Sequence, residues 1–385
     1  MLIFYILLPI VLYIICSYIY LQRISKNYLA ITTRDDVSTR KLKTYDEIQA
    51  EFADKGAINI LVLSGGGVRG YVPLHILSYI EQATGKKIGE LFDAFAGTST
   101  GAISIAGILC PQEDGTGFAN SATKIKNHYY DSCIRMFSSP WYHQLLTLFG
   151  FIGPRYLPDG KLEVLTEYCG NFHISEVNKL FLVPVYDMYN NEMLVVRNWV
   201  PRYSNNTEVN YKLRDLIHGA SNPPMLFPAQ DLMINGKEMS MIDPALLVNN
   251  PIMSMLTNAR LLFIQKKIRI INIGNGGLNT IAHNHTSMIG FGALGLLKYV
   301  LNSPNLNHKM AQDTLASYIA EAQDYDNKIE FINIDMYSED ILSSTDVSVE
   351  NMKKLKKFAH HLLVSNKDKI DNLCNTLMKD QAQHD

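Results

Sequence analysis

Three short segments of the sequence carry residue types that could perform acyl transfer. The first is a G-x-S-x-G sequence that places Ser99 between Gly97 and Gly101. It follows a short strand predicted at 92–96 and precedes a small-residue helical pattern at 102–109. A strand, sharp turn and helix in this order are the context of a nucleophile elbow, where the helix amino terminus also favours developing negative charge. Taken alone, the pattern fits a glycine-rich turn with a structural serine equally well.

The second segment is a glycine-rich loop directly after the β-rich apolar run at 58–63. Its residues are Gly65, Gly66, Gly67, Val68, Arg69 and Gly70. Successive glycines expose backbone N–H groups, which suits an oxyanion or a phosphate. Arg69 either braces the loop or attracts an anionic head group, and a tight structural turn is the simpler alternative.

A dinucleotide fingerprint is another interpretation of the glycine loop, because it can be read as G-x-G-x-x-G. That interpretation predicts an acidic residue at the end of the second strand. Asp93 stands at the start of that strand instead, and Gly97 closes it. The sequence therefore disfavours nucleotide binding.

The third segment contains Asp243-Pro244-Ala245 and then, after three residues, Asn249-Asn250-Pro251. A nucleophilic serine needs a base, and an aspartate within hydrogen-bond reach can serve directly. An isolated Asp-Pro pair usually marks only a turn.

In this order, the three segments resemble the patatin-like phospholipase family of serine–aspartate lipid acyl hydrolases. Further similarity lies at 153–160, 220–228, 271–276 and 335–352, so that the resemblance covers roughly residues 58–363. It implies a three-layer α/β/α sandwich around a mostly parallel sheet. It also implies Ser99 as nucleophile, Asp243 as general base, residues 65–70 as the oxyanion hole, and membrane phospholipids as substrate. No metal and no cofactor are implied.

Pro244 departs from the family pattern, which usually has glycine after the aspartate. Proline fixes its own φ, restricts Asp243 to extended conformations and removes a backbone donor. A catalytically weak or inactive lipid-binding relative is therefore the alternative function. An ordinary triad with His360 or His361 is disfavoured, because both lie in a lysine-rich helical pattern and Ser99 follows only the second strand.

The intervening segments must hold these residues at one end of a sheet. Strand and helix patterns alternate from residue 58, which predicts a parallel sheet in an α/β domain. Further strands are predicted at 180–187, 192–196, 267–273 and 329–334. Further helices are predicted at 73–82, 161–169, 211–219, 307–322 and 349–363, with loops at 112–120 and 275–288.

Residues 1–22 contain no charged side chain and are long enough to cross a bilayer core of about 30 Å as a helix. A cleaved signal peptide and a buried core helix are the alternatives. A signal would need a basic start and a small-residue cleavage site, and neither is visible. Arg23 and Lys26 follow the run, so the body of the protein is predicted to face the cytoplasm.

Composition sets the remaining bounds. The 385 residues carry a formal net charge of -2, which gives no basic footprint for nucleic acid. The five cysteines show no C-x-x-C spacing, which argues against a zinc site or a disulfide framework.

The predicted organisation is an anchor (1–22), a polar linker (23–57), one catalytic domain (58–370) and a polar tail (371–385). No activating partner can be named from the sequence.

Overall fold

The computed structural model describes residues 2–29, 41–115, 117–202, 209–234, 237–278, 305–322, 328–338 and 342–382. The strands are β1 (Ala57–Leu63), β2 (Ala94–Gly97), β3 (Leu180–Asp187), β4 (Glu192–Arg197), β5 (Gln230–Ile234), β6 (Lys237–Ile242), β7 (Lys267–Ile273), β8 (Gly277–Leu278), β9 (Ile329–Ile334) and β10 (Tyr337–Ser338). Eight of these form the central sheet in the order β5-β6-β3-β2-β1-β7-β9, with β4 also paired to β3.

The helices cover both faces of this sheet. They are α1 (Leu2–Leu29), α2 (Tyr45–Glu51), α3 (Tyr71–Thr84), α4 (Ile88–Leu91), α5 (Thr100–Leu109), α6 (Ala122–Met136), α7 (Trp141–Leu146), α8 (Asp159–Cys169), α9 (Leu213–Ala220), α10 (Ile252–Leu262), α11 (Asn305–Ala322), α12 (Val349–Ser365) and α13 (Lys367–Ala382). The architecture is the predicted α/β fold with helices flanking a mostly parallel sheet.

β1 shows why the sheet lies in the middle of the domain. Leu61 and Leu63 pack into one apolar cluster with α3, α5 and α6, whereas Ile58, Ile60 and Val62 pack into another with α2 and α10. Side chains alternate between the faces of a strand, so a run that is apolar at every position is buried on both sides. β1 is apolar at every position except Asn59, so its sequence specifies a central strand.

The parallel register brings the first two predicted site segments together. β1 pairs with β2 in parallel, and Leu63 lies opposite Gly97. The glycine loop leaves β1 and the Ser99 turn leaves β2 at the same edge of the sheet. β7 also runs parallel to β1, with Ile273 opposite Leu63, so its following loop reaches this edge as well.

Most element predictions agree with the structure. The strands predicted at 180–187, 267–273 and 329–334 have those bounds, and each predicted helix lies within a few residues of an observed one. The sequence analysis did not predict α6, α7, α10, β5, β6 or α13. Most of the loop predicted at 275–288 lies outside the described residues.

α1 begins at Leu2 and continues to Leu29, beyond the predicted boundary at Gln22. Residues Leu7–Ser25 are long and apolar enough to cross a membrane by length and composition, a criterion that a signal sequence also meets. One face of this helix, at Tyr13, Ser17, Tyr20, Leu21 and Ile24, is at least partly buried. The other apolar side chains whose burial is described are exposed. The placement in a membrane remains a prediction.

The polar tail expected from residue 371 is wrong. These residues belong to α13, whose Ile370, Leu373, Cys374 and Leu377 are buried in the main core cluster. The spacing i, i+3, i+4 and i+7 gives a helix one apolar face. The many lysine, aspartate and asparagine residues between these positions conceal that face in a composition average.

Leu377→Ala tests whether α13 is part of the domain core. We expect a loss of about 2–5 kcal/mol in the free energy of unfolding, because the buried leucine leaves a cavity. Chemical denaturation measures this loss. Asn375→Ala, at an exposed position of the same helix, is the matched control and should change the stability by less than about 0.5 kcal/mol. Equal small effects would show that α13 is not part of the core.

Candidate active site

Ser99 occupies the sharp turn that the G-x-S-x-G pattern predicts. It lies between β2 and α5 with φ 55° and ψ -124°, a backbone conformation that L-residues rarely adopt. Such strain persists where the surrounding structure enforces it, and it is typical of functional sites. The side chain is nearly buried, at 7% exposure, and it lines a cavity of about 190 Å³.

The flanking glycines allow α5 to lie directly against β1. A Cβ atom on Gly101 would overlap the carbonyl of Leu63, and one on Gly97 would come within 2.7 Å of the Ala102 amide. The Thr98 amide also donates a hydrogen bond to the Leu63 carbonyl at 3.2 Å. The elbow is therefore fixed to the strand that carries the glycine loop.

The glycine loop lines the same cavity as Ser99 through Gly65, Gly66, Gly67 and Arg69. Several of its amides already donate hydrogen bonds. The Gly65 amide donates to Asn249 O and the Gly66 amide to Thr100 Oγ1. The Val68 amide donates to Ser344 O and the Arg69 amide to Gly66 O. Among the described residues, no acceptor is assigned to the Gly67 amide. Gly67 also has φ 55°, in the left-handed region that favours glycine.

Arg69 braces the loop rather than standing free to attract a head group. Its Nε donates to Gly66 O and its guanidinium also donates to Gly276 O, both at 3.3 Å. The side chain is buried, and desolvation lowers its pKa to about 10 despite the opposing charge of Asp335. These contacts fit a role for Arg69 in bracing the glycine loop.

Asp243 lines the Ser99 cavity and is only 3% exposed. Its Oδ1 accepts a hydrogen bond from the Ala245 amide at 2.8 Å, whereas Oδ2 is buried without a hydrogen bond to any described residue. Burial raises the pKa of Asp243 to about 6, against the opposing effects of the Ser99 hydroxyl, the Ala245 amide and the Lys161 charge. A carboxylate with a raised pKa and one open oxygen can accept a proton at neutral pH.

Pro244 does not deprive Asp243 of its backbone donor. The donor comes one residue later, from Ala245, and the Pro244 carbonyl accepts from the amides of Leu247 and Val248 at 2.7 Å. The turn continues into Val248 and Asn249, whose carbonyls accept from Thr98 Oγ1 and the Gly65 amide. The loop of Asp243 is thus attached to both the elbow and the glycine loop.

Lys161 is a residue of the site that the sequence analysis missed. Its Nζ is buried in the cavity wall, where it donates to the Ser221 carbonyl at 2.8 Å and also bonds Asn222 Oδ1. Burial lowers its pKa well below the usual range, and the charge of Asp243 opposes that shift. Lys161 lies on the buried stripe of α8 with Val164, Leu165 and Tyr168, so a lysine at an apolar position was the available signal.

The described histidines do not complete a triad. His360 and His361 are exposed on α12, and no histidine lines the cavity among the described residues. Asp93, the residue relevant to the dinucleotide alternative, lies before β2, where its carboxylate accepts from the Asn59 amide. Within the described part of the chain, no group of three or more metal-ligating side chains is present.

The geometry defines a serine–carboxylate site at the edge of a mostly parallel α/β sheet. The sequence profile of patatin-like phospholipases matches residues 61–256, so the chain belongs to the patatin-like phospholipase family, whose members are lipid acyl hydrolases.

Relatives of known name support this assignment. The chain is 28% identical over 210 residues to patatin-like protein 2 of Arabidopsis thaliana, a match that covers half of each protein. It is 24% identical over 354 residues to patatin-like protein 3 of the same plant, covering 80% of each. A solved structure of human GIVD cytosolic phospholipase A2 gives a TM-score of 0.44 at 9% identity, covering 87% of this chain and 63% of that one. The family assignment rests on the sequence match.

Gly67→Ala tests the role of the glycine loop. A Cβ there would overlap the Ser344 carbonyl, so the loop must move and its amide must leave the cavity. We expect hydrolysis of a soluble ester to fall about a hundredfold or more, as on removal of an oxyanion donor. Gly85→Ala is the matched control, since Gly85 has φ 68° but no atom within 4 Å of the added methyl. It introduces the same strain from a positive φ without the overlap, and it should leave the activity intact.

Lys161→Met tests whether the lysine tunes Asp243 as the predicted general base. A base must be ionised to act, so on this prediction activity should fall as the pH drops through about 6, the pKa of Asp243. Loss of the nearby positive charge disfavours ionisation, so this acidic limb should move up by about 1 pH unit or more. The pH dependence of kcat/KM measures the shift. Lys161→Arg keeps the charge and should keep the limb near its original position. A lower rate with an unshifted limb would mean that Lys161 is only structural.

Proposed function

We propose that this protein is a membrane-anchored lipid acyl hydrolase of the phospholipase A or lysophospholipase type. The observation that carries the proposal is the meeting of Ser99, Asp243 and the Gly67 amide around one cavity. Each group alone is common, but a nucleophile, a base and an oxyanion donor are the three components that acyl transfer requires.

The cavity wall suits a fatty acyl chain. Apart from the catalytic groups, it is formed largely by apolar side chains, including Ile103, Met136, Phe137, Leu226 and Phe227. Ligand sites typically combine such a lining with a few convergent polar groups. Together with the family assignment, this favours glycerophospholipids as substrates.

The reaction begins with attack of Ser99 Oγ on the ester carbonyl carbon. Asp243 Oδ2 takes the hydroxyl proton, and the carbonyl electrons move to oxygen. The amides of Gly67 and Thr100 stabilise this oxyanion, since neither has an acceptor among the described residues and Thr100 begins α5. When the tetrahedral intermediate collapses, the C–O bond breaks, and the proton passes from Asp243 to the departing lysolipid or glycerol oxygen.

Water completes the cycle on the acyl-enzyme. Asp243 accepts a proton as the water oxygen attacks the acyl carbon, and Ser99 Oγ leaves with that proton. The fatty acid is released and the dyad returns to its starting state. Burial of Asp243 serves both halves of the cycle, because a pKa of about 6 makes the carboxylate a stronger base than an exposed aspartate.

The proposed organisation follows from the same residues. Residues 58–370 with α13 form the catalytic domain, and α1 anchors it with the domain on the cytoplasmic side, where Arg23 and Lys26 follow the apolar run. We propose that the protein works without metal, cofactor or nucleic acid. The alternative, an inactive lipid-binding protein, is motivated by Pro244.

A serine-directed fluorophosphonate probe separates the two functions. The wild type should be labelled, and Ser99→Ala should lose the label. With phospholipid vesicles, mass spectrometry should detect fatty acid and lysolipid release, and both Ser99→Ala and Asp243→Asn should reduce it about a thousandfold or more. Ser104→Ala, at a buried serine on α5, is the control and should remain labelled. A wild type that neither reacts with the probe nor releases fatty acid would leave the lipid-binding function.

A further inference from the structure

The segment between Arg135 and Arg155 has an unusual surface. Residues 136–154 contain no lysine, arginine, aspartate or glutamate. Within it, Trp141, Phe149 and Phe151 are 78%, 58% and 55% exposed. Four more apolar side chains of this segment are exposed, namely Tyr142, Leu145, Leu148 and Ile152. We call residues Trp141–Ile152 the apolar segment.

The apolar segment is held in shape by its own hydrogen bonds. The Thr147 carbonyl accepts from the amides of Gly150 and Ile152 at 3.1 Å, and Thr147 Oγ1 donates to the His143 carbonyl at 2.9 Å. Leu148 and Phe149 follow with φ 48° and 55°, which is unfavourable for bulky side chains. Two large apolar groups are therefore held out to the surface by a strained turn.

The apolar segment packs against α1, the helix that is apolar enough to cross a membrane. Tyr20 OH and His143 Nδ1 form a hydrogen bond of 2.9 Å, and Tyr13 OH donates to the Leu145 carbonyl at 2.6 Å. Just beyond the segment, Gly153 lies so close to Leu21 that a Cβ atom on it would meet the leucine side chain at 2.6 Å. The contacts fix the position of the apolar segment along α1.

That position corresponds to the depth of one leaflet. The charge-free run of α1 ends on the body side at Gln22, just before Arg23. At 1.5 Å per residue, Tyr20 and Tyr13 lie about 3 and 14 Å further along the span. Half of a hydrocarbon core of about 30 Å is about 15 Å. A span that occupies the core therefore brings the apolar segment into the same leaflet.

On its other side, the apolar segment leads to the Ser99 cavity. The amides of Arg155 and Tyr156 donate to the carbonyls of Met225 and Leu226 at 2.9 and 2.8 Å. Both of those residues line the cavity, as does Phe137, which precedes the apolar segment. The residues on either side of the apolar segment thus lie in or contact the wall of the proposed acyl site.

From these contacts we infer that the apolar segment inserts into the acyl-chain region of the leaflet beside α1, where it guides membrane lipid into the Ser99 cavity. The inference rests on the membrane anchoring in the proposed function. The occupant of this surface is the bilayer, because the segment has no charge and shares the depth of α1. Aromatic and aliphatic side chains without charge are what this region accepts. A second copy of the chain is the competing occupant.

Tryptophan quenching tests the inference directly, because the chain has only two tryptophans. Trp141 is 78% exposed and Trp199 is 1% exposed. The full-length protein with Ser99→Ala, which excludes turnover, is reconstituted in phosphatidylcholine vesicles containing lipids brominated at defined acyl carbons. Trp199→Phe leaves Trp141 as the sole emitter, and Trp141→Phe leaves Trp199 as the matched control.

We expect brominated acyl chains to quench Trp141 by at least half, with a blue-shifted emission, and to leave Trp199 unchanged. Aqueous iodide should quench Trp141 weakly. Strong iodide quenching without bromolipid quenching would overturn the inference. Protection of Trp141 from iodide only in a cross-linked dimer would also overturn the inference, because it would favour a second copy of the chain as the occupant. Failure of the protein to remain with the vesicles would overturn both anchoring and insertion, but it would not affect ester hydrolysis in solution.

A surface variant links insertion to catalysis. Phe149→Asp places a charge at an exposed position away from the cavity-lining residues. In the Ser99 wild-type background, it should reduce hydrolysis of vesicle phospholipid about tenfold or more and leave hydrolysis of a soluble short-chain ester unchanged. Asn375→Asp, at an exposed position of α13, should change neither. Equal loss on both substrates, or no loss on vesicles, contradicts the role in lipid delivery.

Discussion

The close approach of α5 to β1 is the constraint on which the site depends. It requires a residue without a side chain at Gly101, directly over the Leu63 carbonyl. Because that contact holds the start of α5 against the end of β1, Thr100 Oγ1 reaches the Gly66 amide, and the elbow and the glycine loop become one rigid unit. The Asp243 loop then joins this unit through backbone carbonyls rather than through its own carboxylate. The carboxylate is thereby left available for chemistry.

The second organising feature is a pair of opposite charges buried in one cavity wall. Asp243 and Lys161 each lose hydration, and each favours the charged form of the other. Hydrogen bonds from backbone groups complete the arrangement: the Ala245 amide serves the carboxylate, and the Ser221 carbonyl serves the ammonium group. Burial is the main influence on the pKa of Asp243, and the Lys161 charge is a smaller one that opposes it. That smaller influence comes from α8, a helix that carries no part of the three sequence motifs.

The sequence predicts the local parts of this structure well because local patterns determine them. The apolar run at 60–63 in β1 specifies a buried strand, and the glycines around Ser99 specify a sharp turn. Contacts between distant segments are harder to predict. Lys161 lies 82 positions before Asp243, and nothing in its immediate neighbours shows that it faces a carboxylate. The effect of Pro244 on Asp243 is hard to predict for the same reason, since the backbone donor that Ala245 supplies is visible only in the folded loop. The apolar face of α13 was hidden by averaging over its polar residues.

The two hydrogen bonds between α1 and the apolar segment affect more than attachment. A chain joined to its anchor at a single point can tumble, and its active site samples many heights and angles above a surface. Tyr13 and Tyr20 contact the domain seven positions apart on a stiff helix, which removes most of that freedom. With the proposed anchoring, an enzyme held in this way would meet its substrate by lateral diffusion in two dimensions. Its turnover would then follow the mole fraction of the susceptible lipid in the leaflet, and dilution of the surrounding solution would have little influence.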